Sequence, residues 1–213
     1  MQFEPIPVLG VTGPVAAGKS ALSARLAALG ARVIDVDGLG HRALASDAIR
    51  DEVVRAFGAG VAGADGSIDR ARLALVAFAD GPSRLRLEAI VHPVVLRDIN
   101  EEIRRAVGAG AKAVVLDCAL LFESGLDALC DLTVDVDAPE AVRLSRALAS
   151  QGWDAGEVRR RTAAQIAPDE KRARADRVVV NDGDAGRLDD AASEILAEVR
   201  RGAGHAATRR TRP

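Results

Sequence analysis

Runs of mostly apolar residues recur at 8–12, 113–116 and 132–136, with a shorter one at 177–180, each bounded by Gly or Asp. Continuous runs of this kind, alternating with helical stretches, predict strands covered on both faces, as in a parallel sheet. A further strand is expected over 32–35, after a helix over 19–29 that Gly30 terminates. From 47 to 108 the pattern is mainly helical, with apolar residues at three- and four-residue spacing over 48–57 and 85–107 and a turn-rich stretch at 58–67 between them. A helix over 139–151 opens on Pro139, an Arg-rich exposed helical stretch over 157–175 breaks near Pro168, and an amphipathic helix over 189–201 closes the pattern. The order of strand, glycine loop, helix and strand predicts a βαβ, hence α/β, architecture. A helical block between two core strands is a natural substrate-binding insertion.

Composition narrows the setting. With 213 residues the chain suffices for one α/β core with a small appended element, and four Phe, one Trp and no Tyr leave the core to Ala, Val, Leu and Ile. A net charge of −2 argues against nucleic-acid or membrane-surface binding driven by bulk charge. Cys118 and Cys130 fit neither a disulfide framework nor a four-ligand zinc site, and Cys118 reads as a small buried hydrophobe. No apolar run is long enough to cross a membrane and no leader pattern opens the chain, so a cytoplasmic setting is expected. The basic stretch 202–213 has no periodicity and is expected to be disordered.

The clearest chemical signal is Gly13-Pro14-Val15-Ala16-Ala17-Gly18-Lys19-Ser20, between an apolar strand and an Ala/Leu-rich helix. In this G-x-x-x-x-G-K-S arrangement Gly18 lets the backbone approach phosphates, loop amides form an anion nest, and the helix turns its positive end to the same anion. Lys19 then reaches the β- and γ-phosphates, and the Ser20 hydroxyl can ligate Mg²⁺. Pro14 removes one N–H at the start of the loop. Asp35 and Asp37 follow the second strand as Asp-Val-Asp. Their side chains diverge if the strand continues, and both reach the nucleotide side if the chain turns at Gly38 and Gly40. One would serve as the base for an acceptor hydroxyl and one would support the metal; alternatively they cap the next helix. Asp117 ends its strand where it either supports a metal-bound water or simply terminates the strand.

Taken in order, the phosphate loop, Val33-Ile34-Asp35-Val36-Asp37, Asp65-Gly66-Ser67-Ile68-Asp69-Arg70, Ile90-Val91-His92-Pro93 and Leu120-Leu121-Phe122-Glu123 resemble the dephospho-CoA kinases, together with Gln165, Lys171, Ala175-Asp176 and Asn181-Asp182-Gly183. The resemblance runs from about residue 8 to 196. It implies a P-loop NTPase fold, a three-layer α/β/α with a parallel sheet, a helical CoA-binding insertion and a lid. The expected boundaries are a core over 7–47 and 111–201, the insertion over about 48–110 and the lid over about 147–176. It implies transfer of the ATP γ-phosphoryl to the ribose 3′-hydroxyl of dephospho-CoA. Lys19 and Ser20, with Gly13, Val15, Ala16, Ala17 and Gly18, would bind phosphate and Mg²⁺, and Asp35 would support the metal or its waters. Asp37 would be the base, Arg146 would meet phosphate charge on closure, His92 and Leu121 would line the dephospho-CoA side, and Asn181 would flank the adenine. A monomer or small homo-oligomer is expected.

The chain departs from the family pattern at Pro14, at Ala16 and at Ala119, and it has Ser150 where a second lid arginine is usual. Arg159 to Arg161 would supply the missing lid charge. The start of the loop also resembles cytidylate kinase, which leaves a nucleoside monophosphate or another small-molecule acceptor as the alternative.

Overall fold

The computed structural model describes residues 6–77, 79–151, 153, 155–163 and 165–206. Its strands are β1 Val8–Thr12, β2 Arg32–Asp35, β3 Val114–Asp117, β4 Leu132–Asp137 and β5 Arg177–Val180. All pair in parallel, in the order β2-β3-β1-β4-β5. Its α-helices are α1 Lys19–Ala28, α2 Val36–Ala45, α3 Asp47–Phe57, α4 Arg70–Ala77, α5 Gly81–Gly108, α6 Glu140–Gln151, α7 Ala155–Ala163, α8 Pro168–Arg174 and α9 Ala185–Ala206.

The described residues form two compact units, one holding those up to Asp35 and from Ile103 onward, the other spanning Val36–Glu102. In the first unit, strand alternation sends Leu9, Val11, Val115, Val134 and Val136 to one face, where they pack with Leu22 and Leu26 of α1 and Ile195, Leu196 and Val199 of α9. The residues between them, Thr12, Thr133 and Asp135, turn to the opposite face, where α8 lies against β4. Cys118 is buried, as its apolar surroundings predict. In the second unit Ile49, Val53, Val61, Leu73, Ala77 and Ile90 form a separate core. There Asp65 Oδ1 accepts from the Ser67 amide and hydroxyl, and Asp69 Oδ1 accepts from the Ala71 and Arg72 amides at the start of α4. Those two acids of the Asp-Gly-Ser-Ile-Asp-Arg motif are therefore a turn former and a helix cap.

Three expectations change. The chain neither extends nor turns loosely after Asp35: α2 begins at Val36 and runs through Gly38 and Gly40, because burial of Val36, Leu39 and Ala43 outweighs the helix cost of two glycines. This helix belongs to the second unit. The helical stretch over 157–175 breaks at Pro168 as expected, into α7 and α8, but it is not exposed throughout, since α8 carries the fully buried Lys171. Finally α9 continues to Ala206, making the first residues of the expected tail helical, while 207–213 lie outside the described residues.

Candidate active site

The first unit gathers chemistry at the C-terminal ends of its strands. The phosphate-binding loop leaves β1 after Thr12 and delivers Lys19 as the first residue of α1. Two residues adopt left-handed backbone conformations: Ala16 at φ 60 and Gly18 at φ 98. At Ala16 the loop keeps its curvature despite a side chain, at a local conformational cost. Gly18 is compulsory twice over, since a Cβ there would also fall on Asn181 Nδ2. The first turn of α1 has no side-chain cap, so the helix end is built from backbone donors suited to an anion.

On the α1 side of the sheet, Lys19 Nζ forms an ion pair with Asp117 Oδ1. Asp117 is the register partner of Asp35 on the neighbouring β2, which sets the two carboxylate-bearing positions side by side at the sheet's edge. Asp117 thus does more than end a strand: it holds the loop lysine. Ser20 follows in the first turn of α1 and is exposed. The Ser20 hydroxyl and the Asp35 carboxylate are hard-oxygen donors, of the kind that fits Mg²⁺ completed by water and phosphate oxygens.

Behind the loop, Arg146 of α6 and Asn181 beyond β5 meet the Ala17 carbonyl. Asn181 Nδ2 donates to Ala17 O at 2.8 Å and Arg146 Nη1 at 3.3 Å, while Arg146 also donates to Asn181 O at 3.2 Å and Oδ1 at 3.3 Å. Asn181, expected beside an adenine, therefore directs its amide to the loop backbone. Leu121, expected on the acceptor side, is fully buried, and its Cδ2 lies 2.7 Å from the point where a Gly10 Cβ would stand. It is a packing residue of the β1 face. Asp37 lies in the first turn of α2, and His92 is half-buried in α5 immediately before Pro93, both in the second unit. Arg161 stacks over Trp153 at 4.2 Å and pairs with Glu157; the side chains of Ser150, Arg159 and Arg160 lie outside the described residues.

The family model for dephospho-CoA kinase matches residues 7–186. A dephospho-CoA kinase from Anaeromyxobacter dehalogenans is 43% identical over 199 residues, covering 92% of this chain and 94% of its own. The chain belongs to the dephospho-CoA kinase family. It is a kinase of coenzyme A synthesis. A relative of the same name from Geobacillus kaustophilus is 40% identical, covering 82% of this chain and 88% of its own. A solved structure from Thermus thermophilus superposes with a TM-score of 0.77 at 37% identity, covering 91% of this chain and 97% of that one. A shikimate kinase from Acinetobacter baumannii shares the fold alone, with a TM-score of 0.50 at 16% identity and coverage of 92% and 94%.

One feature of this dephospho-CoA kinase family member's sheet is costly. Asp135 of β4 is fully buried, and neither carboxylate oxygen has a hydrogen-bond partner among the described residues. Burial, and then the neighbouring Asp137 carboxylate, push its pKa up to about 6, against the opposing pull of Lys171 and Arg172. Because the folded-state value exceeds the unfolded one, the folded chain retains a proton that the unfolded chain releases, and raising the pH costs stability. The wild type is expected to lose on the order of 2–3 kcal/mol relative to Asp135→Asn between pH 4 and pH 7. Denaturant unfolding of both proteins across that range checks this; a pH-independent difference contradicts it.

Proposed function

We propose that this chain transfers the γ-phosphoryl group of ATP to the ribose 3′-hydroxyl of dephospho-CoA, in the cytoplasm. The observation that carries the reading is the loop from Gly13 to Ser20, with left-handed Ala16 and Gly18 and with Lys19 held at the head of α1, in a chain matched to this family along most of its length.

In the proposed reaction the loop amides and Lys19 bind the β- and γ-phosphates, so that charge building on the bridging oxygen is already compensated. Ser20 and Asp35 would hold Mg²⁺, which when bound would neutralise phosphate charge. Asp37 accepts the 3′-hydroxyl proton as the oxygen attacks the γ-phosphorus, and the ADP oxygen leaves in line. Arg146 and Asn181 stiffen the loop by bracing the Ala17 carbonyl, and on closure the Arg146 guanidinium meets phosphate charge. His92 contributes to dephospho-CoA binding.

Gly18→Ala is expected to weaken nucleotide affinity by about tenfold or more, since the added methyl meets Asn181 and the φ of 98 disfavours an L side chain. Calorimetric titration with ATP measures it. The activity itself is tested by ADP release with dephospho-CoA, CMP or no acceptor: release specific to dephospho-CoA supports the reading, and release specific to CMP favours the nucleoside monophosphate alternative.

A further inference from the structure

The sheet face opposite α1 holds a polar network that the proposed chemistry leaves unused. Gln165, between α7 and α8, donates from Nε2 to Gly13 O at 3.3 Å and to Ala119 O at 3.1 Å. Lys171 of α8 is fully buried, and its Nζ donates to Ala119 O at 2.6 Å and to Thr12 Oγ1 at 3.3 Å. The same ammonium pairs with Glu123 Oε1 at 3.1 Å, and that oxygen also accepts from the Ile166 amide at 2.8 Å. An ammonium removed from water is expensive, and packed apolar side chains of similar volume often hold a fold equally well. What the polar set adds is direction: it converges on Thr12 and Gly13, where β1 becomes the phosphate loop.

Pro14 adds a constraint at the same place. The peptide plane joining Gly13 to Pro14 has no N–H, so its orientation can be anchored by hydrogen bonding only through Gly13 O. That oxygen receives Gln165. Gly13 cannot supply packing instead, since a Cβ there would strike Val136 O. The tilt of this plane sets the course of the following residues, including the left-handed turn at Ala16, and so the direction in which the loop amides point.

We infer that Gln165 and Lys171 are positioning residues for phosphoryl transfer, which orient the entry of the phosphate loop through Gly13 O, Thr12 Oγ1 and Ala119 O. They act through the loop and touch no reacting atom, and the inference rests on the proposed kinase reading. Gln165→Glu replaces the donating amide by a carboxylate facing two carbonyl oxygens. It is expected to raise KM and Kd for ATP about tenfold, the consequence of losing one oriented hydrogen bond, with KM for dephospho-CoA within twofold and the melting temperature nearly unchanged. Gln165→Ala should give a smaller rise in the same constants. Lys171→Met tests the ammonium in parallel, and because Gln165 is half-exposed, its variants keep the inference falsifiable if Lys171→Met fails to fold. Variants that bind ATP as the wild type does, whether or not they melt earlier, overturn the inference alone. So does an equal rise in KM for both substrates. A wild type that binds no ATP overturns the kinase reading and this inference with it.

Discussion

Lys19→Ala is expected to reduce kcat/KM for ATP on the order of 10²–10³-fold, as for removal of a charged donor aimed at a transferring group. The ion pair with Asp117 makes the loss larger than one missing contact. Asp117 is mostly buried, and without Lys19 its carboxylate stands uncompensated beside the phosphate site, repelling the nucleotide as well as destabilising the fold. The double variant Lys19→Ala/Asp117→Asn separates these effects, because removing the unpaired carboxylate should restore stability and part of the ATP affinity while kcat stays low. The pair also implies competition in the wild type, where the lysine is shared between Asp117 and the incoming phosphates. Asp117→Asn alone should therefore bind ATP at least as tightly as the wild type. Steady-state kinetics and ATP titration on the three variants, with thermal melts alongside, measure each part.

Asp37→Asn is expected to lower kcat by about 10²–10⁴-fold, the range for loss of a positioned proton acceptor, with Kd for ATP within a few-fold of the wild type. The substitution keeps shape and helix position but removes the acceptor charge. Asp37 is in the first turn of α2, where a carboxylate also favours the helix end, so a modest loss of stability accompanies the change without explaining a loss of that size. Asp35→Asn should act differently, raising the Mg²⁺ concentration needed for half-maximal rate. Near-wild-type turnover in Asp37→Asn removes Asp37 from the proton-accepting role.

The sheet was readable in the sequence because parallel strands buried on both faces leave continuous apolar runs, and β2 and β5 match their expected spans. The loop from Gly13 to Ser20 was equally legible, since phosphate binding by backbone demands glycine and lysine at fixed spacing. The α2 helix was hidden because Asp35-Val36-Asp37 has strand-like alternation and Gly38 and Gly40 weaken helical propensity, and only tertiary burial of Leu39 and Ala43 decides the matter. The burial of Lys171 was also invisible. In a run of Lys and Arg it reads as one more solvated charge, and its partners Thr12, Ala119 and Glu123 are distant in sequence. Asp135 likewise looks like an ordinary strand-end acid until the sheet closes over it.

Phosphorus NMR of the protein with MgATP and dephospho-CoA reports which oxygen is phosphorylated. Transfer to the ribose 3′-hydroxyl gives a new monoester resonance coupled to the ribose 3′ proton, growing one-for-one with ADP. Phosphate released only to water, or a new ester at any position other than the 3′-oxygen, would contradict it.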